Sequence, residues 1–329
     1  MSVEYLRVVF ISFIVLLHIL WKDYGGLYGV VNSQSANPYI QLGLTNLVTL
    51  GVTGFILISG FYGVKLKISR IVSLGIQTFF YALLSAILIK IFWGGNVFKK
   101  LIDTPLSLFD GDWWFVTDYL ILMLLSPFLN AGLEKIDKKT LAIVIAILSF
   151  IMYGAEWLHA KDSSMPLLLF FNTYLIGRYI RLYPIMWLDR NRYWIFILGL
   201  VTLVSEPIIL HAIGLDSKMK FVSGNFNLLI PIIGVVLLLI CNSHQKQGNG
   251  NFLTKNILAV YLIHESGVGR KLLHECIFYE GREFNLLFIL MIVILVVLSC
   301  ALIEEARKIV MGKMESIIIC KVESLLKMK

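Results

Sequence analysis

Phe284-Asn285-Leu286-Leu287-Phe288-Ile289-Leu290-Met291-Ile292-Val293-Ile294-Leu295-Val296-Val297-Leu298-Ser299-Cys300-Ala301-Leu302-Ile303 contains no charged side chain. At about 1.5 Å per residue, a helical run of this length covers the ~30 Å of a bilayer hydrocarbon core. Comparable runs recur along the chain. Apolar windows of about 19 residues, closed at polar or Gly/Pro-rich gaps, predict ten helices, at 3–21, 40–63, 70–93, 113–132, 140–158, 165–183, 193–214, 222–241, 252–272 and 284–303. The ninth carries His264, Glu265 and Arg270 and is the least apolar; it is retained for parity and for its chemistry. The expected fold class is all-α, a polytopic transmembrane helical bundle of about ten spans.

Composition agrees. Hydrophobic residues make up 58% of the 329 and charged residues 15%, against roughly 45–50% and about 25% in soluble domains. With a mean hydropathy of +0.82, a soluble enzyme, a disordered chain, a collagen-like chain and a disulfide scaffold are all excluded. Cys241, Cys276, Cys300 and Cys320 form no CxxC and lie in or beside apolar segments, so neither a disulfide framework nor a zinc site is expected. A net charge of +8 is what basic cytoplasmic loops give a membrane protein, and no nucleic-acid partner is inferred from it.

Those loops orient the chain. With the N-terminus inside, Arg7, Lys65, Lys67, Arg70, Lys135, Lys138, Lys139, Arg178, Arg181, Arg190, Arg192, Lys246, Lys255 and the tail cations share the cytoplasmic face. They are most of the 29 Lys and Arg, which favours an N-in, C-in arrangement in the cytoplasmic (inner) membrane. The first helix lacks a basic n-region and a small-residue cleavage site and is expected to be retained. Residues 1–305 then form a single transmembrane domain, and 306–329 a basic cytoplasmic tail whose Ser316–Cys320 stretch suggests an amphipathic helix on the inner surface.

An ionisable side chain in hydrocarbon costs about 2.5–3.5 kcal/mol on insertion scales, so those that persist are candidates for function. Arg7 and His18 are eleven residues apart, a rotation only about 20° past three full turns, so they share a helix face about 16 Å apart. His264, counted inward from Phe252, reaches a depth of about 18 Å, at which two imidazoles can meet. Glu265 adjoins it. Glu206, beside the helix-interrupting Pro207, reaches a comparable depth, although a hydrogen bond across helices explains it equally well. Asp118 is open to two readings, a sugar-binding carboxylate or a solvated helix end. Ser59, Gly60 and Phe61 close the second span and lead into Lys65, Lys67 and Arg70. With Arg7 these cations make an anion-binding mouth, although topology alone also predicts them.

Taken together these residues resemble the membrane-bound acyltransferase-3 family. Its first signature, a basic residue, ten others and then His, is matched by Arg7 to His18 in Arg-Val-Val-Phe-Ile-Ser-Phe-Ile-Val-Leu-Leu-His. Its Ser-Gly-Phe signature is matched by Ser59, Gly60 and Phe61. Looser similarities are Trp114-Phe115 with Ser126-Pro127, Tyr174-Leu175-Ile176-Gly177, and Tyr261-Leu262-Ile263-His264. The resemblance implies a transferase that moves an acyl group, usually acetyl, from cytoplasmic acyl-CoA to a hydroxyl of a surface polysaccharide or its lipid-linked precursor. Some relatives carry an extracytoplasmic esterase-like domain, for which this chain has no room.

On that reading the thioester is already activated, and the protein must position it, deprotonate the acceptor and stabilise an oxyanion. Arg7, Arg70, Lys65 and Lys67 would hold the CoA phosphates, with the Ser59-Gly60-Phe61 segment beside them. Histidine changes charge near neutral pH, so His18 can serve as general base; an acyl-imidazole is the alternative, and the sequence does not choose. His264 would orient the acceptor or donate to the oxyanion, and Glu265 or Glu206 would fix a tautomer. Acyl-CoA is a substrate, and no permanently bound cofactor is expected. Two imidazoles without a third ligand make a poor zinc site, so no metal is expected either. The rival readings are a secondary transporter or flippase for a glycolipid or organic anion, with Pro207 and Pro231 breaking two spans, and a non-catalytic scaffold.

Overall fold

The computed structural model describes residues 2–20, 38–94, 113–154, 166–222, 224–243, 252–277 and 285–327. Helix accounts for 89% and no strand occurs among the described residues. The helices are α1 (Val3–His18), α2 (Pro38–Tyr62), α3 (Ile68–Trp93), α4 (Trp114–Leu133), α5 (Lys138–Ser149), α6 (Pro166–Leu182), α7 (Met186–Ala212), α8 (Leu229–Asn242), α9 (Ile257–His264), α10 (Gly267–Ile277) and α11 (Leu286–Lys327). A π turn, Phe150–Gly154, extends α5, and two 3-10 turns, Asp216–Val222 and Gly224–Phe226, join α7 to α8.

Five helices among the described residues are long and apolar enough to cross a membrane: Leu42–Tyr62, Ile68–Trp93, Trp114–Leu133, Met186–Ala212 and Leu286–Leu326. The span expected at 222–241 is shorter, Leu229–Asn242, because the chain preceding it is spent on 3-10 turns. The span expected at 252–272 is two helices, broken at Glu265 and Ser266. Conversely, α7 runs unbroken through Pro207, and Pro231 lies in the first turn of α8, where a missing N–H leaves no helical bond unmade. The two prolines therefore do not break their helices.

The central element is α2, whose spanning window is 78% buried, whereas that of α7 is 11% buried and shows Trp194, Leu198 and Val201 outward. α2 packs against α1, α6, α7 and α8, while α1 also meets α9 and α11. Small residues permit this crowding. A Cβ on Gly51 would stand 2.6 Å from the Phe10 carbonyl oxygen, and one on Gly60 would stand 2.3 Å from that of Tyr174. The crossing is reciprocal, since a Cβ on Gly177 of α6 would meet the Leu57 carbonyl oxygen at 2.6 Å. Gly60→Ala should therefore destabilise the bundle by about 1–3 kcal/mol or more, seen as a lower thermal midpoint of the solubilised protein.

At 42 residues, α11 is about 63 Å long, twice the bilayer core, and it passes residue 305 without interruption. Its middle is clamped to α3. Arg307 donates to both carboxylate oxygens of Glu304, at 2.8 and 2.9 Å, and to Glu315 at 3.0 Å; the Tyr81 hydroxyl donates to Glu304 at 2.6 Å. Glu304 and Arg307 are buried, and the two-pronged pairing satisfies charges that would be costly alone. The four cysteines are free thiols, Cys241 and Cys300 buried, Cys276 and Cys320 exposed.

Candidate active site

His18 is the last residue of α1, which continues as a π turn through Ile19 and Leu20. Ile14 and Val15 of the same helix are buried in the core, which fixes the azimuth of α1 and turns His18 toward α9. His264 ends α9, and the break that follows lets Glu265 and Ser266 leave the helical path. The turn is held by its own polar groups: Ser266 donates from Oγ to the Ile263 carbonyl at 2.6 Å and accepts the Gly269 N–H at 3.1 Å. Val268 N–H donates to Ser85 Oγ at 3.0 Å, tying α10 to α3.

The three side chains meet there. His18 Nδ1 lies 2.9 Å from His264 Nε2 and 2.9 Å from Glu265 Oε2. His264 Nδ1 lies 2.6 Å from the Val260 carbonyl oxygen. A carbonyl only accepts, so His264 Nδ1 carries the proton and, in the neutral ring, Nε2 carries the lone pair. His18 Nδ1–H then donates to that lone pair, and His18 Nε2 becomes the basic nitrogen of the chain. The His18 side chain is 16% exposed and that of Glu265 is 5% exposed, so the base is reachable while the carboxylate behind it is not. Arg270 Nη2 donates to Glu265 Oε1 at 2.6 Å, holding the carboxylate from its far side. Charge at 270 was visible in the sequence, but the partner was not; the Glu-to-Arg spacing of five residues across a helix break carries no periodic signal.

Aromatic rings wall the cluster. Tyr261 lies 6.4 Å from the His18 ring and 5.8 Å from Phe115, which in turn meets Phe170 at 5.0 Å. Trp114-Phe115 and Tyr261–His264, quoted above as separate similarities, thus come together at one place.

Glu265 also supplies the third ligand that the sequence argument against a metal had lacked. One ligand atom each from His18, His264 and Glu265 lie within 4.8 Å of one another, a donor set of the two-His, one-Glu kind that catalytic zinc uses. The contacts themselves are of hydrogen-bond length, and tetrahedral bonds of about 2.0–2.1 Å would require the ligands to part by a few tenths of an ångström.

The remaining predicted residues lie elsewhere. Glu206 joins none of these contacts; its Oε2 accepts from Asn227 Nδ2 at 2.5 Å. Asp118 is half-buried, with Oδ2 lacking a partner among the described residues. Arg7, at the opposite end of α1, is part-exposed and pairs with Glu4 at 3.5 Å. Ser59 Oγ donates back to the Phe55 carbonyl at 2.9 Å, Gly60 is the crossing point with α6, and Phe61 is buried. This segment is packing that shapes the basic mouth. Lys65, Lys67 and Arg70 are exposed just beyond it. Two arginines of α6, present in the charge count only, join them: Arg181 stacks over Phe61 at 5.2 Å, and Arg178 Nη1 would be 3.1 Å from a Cβ at Gly63. The mouth is pinned by Tyr174, whose hydroxyl donates to Asn130 Oδ1 at 3.0 Å and accepts the Val64 N–H at 3.3 Å.

Gly269 tests the local backbone. A Cβ there would stand 2.1 Å from the Ile263 carbonyl oxygen and 2.7 Å from that of His264. Gly269→Ala must push α10 off α9 and carry Glu265 and Arg270 with it. The displacement should appear as a thermal midpoint of the solubilised protein below that of the wild type, with membrane insertion unchanged by fractionation.

A family model described as an acyltransferase domain matches residues 2–304, nearly the whole chain. No curated protein and no solved structure matches the chain.

Proposed function

Because the chain belongs to the acyltransferase-3 family, we propose that this membrane acyltransferase moves an acyl group, acetyl being the simplest, from cytoplasmic acyl-CoA to a hydroxyl of a cell-surface polysaccharide or its lipid-linked precursor. The supporting observation is the hydrogen-bond chain from the Val260 carbonyl through His264 to His18 Nδ1, which leaves His18 Nε2 as the base. That nitrogen takes the acceptor's proton as the alcohol oxygen bonds to the thioester carbonyl carbon. The tetrahedral intermediate collapses, the C–S bond breaks, and the proton passes from Nε2 to the departing thiolate. Glu265 stabilises the transient imidazolium, and Arg270 holds Glu265 in place.

In this reading the protein has about ten spans with both termini in the cytoplasm and resides in the inner membrane. The CoA phosphates lie at the mouth formed by Lys65, Lys67, Arg70, Arg178 and Arg181, with Arg7 at the base of α1; Arg suits phosphate because its planar donors meet two oxygens at once. Ser59, Gly60 and Phe61 serve by shaping the mouth. The pantetheine arm then follows α1 toward His18. Membranes holding the protein, given acyl-labelled CoA on the cytoplasmic side, should pass label into carbohydrate; movement of intact glycolipid without label would instead be transport. These steps use His18 as a free base, its Nδ1 hydrogen-bonded to His264; on this reading EDTA leaves the labelled transfer unchanged, and a loss with EDTA would instead assign the His18, His264 and Glu265 set to a metal.

A further inference from the structure

A cavity of about 480 Å³ lies between the end of α5, the outer part of α7 and the start of α8, lined by Ser149, Phe150, Tyr153, Glu206, Asn227 and Leu229 among others. None of its described lining residues belongs to α1, α9 or α10, so it is separate from the His18 cluster. Its volume falls within the about 300–1,000 Å³ of small-molecule sites. Its wall is anchored to the central helix, because Asn46 of α2 donates from Nδ2 to the Val222 carbonyl at 2.8 Å and accepts the Gly224 N–H at 3.0 Å.

Three polar side chains line this space, in different states. Asn227 is fully occupied: Nδ2 donates to Glu206 at 2.5 Å and to the Val222 carbonyl at 2.9 Å, and Oδ1 accepts the Leu229 N–H at 2.9 Å. It orients Glu206 and has nothing left to offer. Glu206 accepts that one hydrogen bond and pairs with no cation among the described residues, whereas a carboxylate has about four acceptor sites. The hydroxyl of Tyr153, a residue only 6% exposed, has no partner among the described residues. Buried polar groups are satisfied in the great majority of cases; an unpartnered Tyr153 hydroxyl beside a half-buried carboxylate with acceptor capacity to spare, in one cavity wall, points to a ligand.

The chemistry of the pair selects that ligand's class. It must donate hydrogens to a carboxylate and exchange a hydrogen bond with a phenol, while its remaining faces meet Phe150, Leu228 and Leu229. A hydroxyl can donate to Glu206 and accept from Tyr153; an ammonium can only donate. We infer that this cavity binds a polyhydroxylated ring, as a subsite for a sugar unit of the acceptor that is not itself acylated. Glu206 lies twenty residues along α7 from Met186, about 30 Å, at the end away from Arg190 and Arg192. That is the outer end in the proposed topology, where a surface glycan arrives. The inference rests on the acyl-transfer reading for the identity of the glycan. Binding held there, away from the reacting hydroxyl, would be used to position the acceptor.

The test is saturation-transfer NMR on the purified full-length protein in nanodiscs, with methyl β-glucopyranoside and, separately, ethylamine as probes. The glycoside should give a signal with the wild type and with His18→Ala. That signal should weaken at least fivefold in Tyr153→Phe and in Glu206→Gln, each shown to be folded by its thermal midpoint. A wild type that gives no glycoside signal, a signal unchanged in both variants, or a site that takes ethylamine in preference would overturn the proposal. No acyl-CoA is present, so the result is independent of whether label is transferred.

Discussion

His18→Ala should leave a folded, inserted protein whose acyl transfer has fallen by about 10²–10⁴-fold, the range that a positioned base supplies. Folding is spared because His18 sits at the end of α1, whose packing depends on Leu6, Phe10, Ile14 and Val15 further down. On the proposed reading, in which the cations of the mouth bind acyl-CoA, the loss should appear in kcat with the KM for acyl-CoA little changed. Labelled transfer in membranes, normalised to inserted protein, measures it; activity within tenfold of the wild type would remove His18 from the chemistry.

The second large effect is expected from Glu265→Gln. The substitution preserves shape and a hydrogen-bond acceptor but removes the charge that faces His18 Nδ1 at 2.9 Å and Arg270 at 2.6 Å. An imidazole that must become positive in the transition state then loses its compensating carboxylate. In the serine-protease template the corresponding loss is about 10⁴-fold; here, with His264 still holding the ring, a fall of about 10²-fold or more is expected. Residues that work as a unit are not additive. The double variant His18→Ala, Glu265→Gln should therefore be no slower than His18→Ala alone, and a further tenfold fall in the double variant would show that Glu265 acts elsewhere.

Much of this was legible in the sequence, for identifiable reasons. Axial depth follows from residue counting, so His18 and His264 were expected at one level, and Glu265 followed as a neighbour in sequence. Azimuth and partner helix do not follow from counting. Glu206 has a suitable depth, yet it lies on α7 with Asn227. The break after His264 was hidden because an apolar window averages over it, and the real signals, Ser266 and the two glycines Gly267 and Gly269, are spread through a stretch kept for its chemistry. Pro207 and Pro231 misled in the opposite direction, since a proline does not by itself end a helix that neighbours support. Ser59, Gly60 and Phe61, expected beside the CoA phosphates, mark a helix crossing, where Gly60 meets the Tyr174 backbone; small residues signal close backbone approach without naming the partner helix. The tail was expected as an amphipathic helix on the inner surface; α11 continues through it, with Glu304 held by Tyr81 and Glu315 by Ser73 of α3.

The hydrogen bond from His264 to the Val260 carbonyl closes one end of the imidazole chain. A peptide oxygen inside a helix passes nothing onward, so the chain ends on that side, and its other branch runs through Glu265 to Arg270. In the proposed reaction the proton taken from the alcohol returns through the same ring to the departing sulfur. Ester formation from a thioester is neutral in hydrogen ions, so the proposed reaction would need no proton traffic across the membrane and would draw nothing from the gradient the membrane maintains.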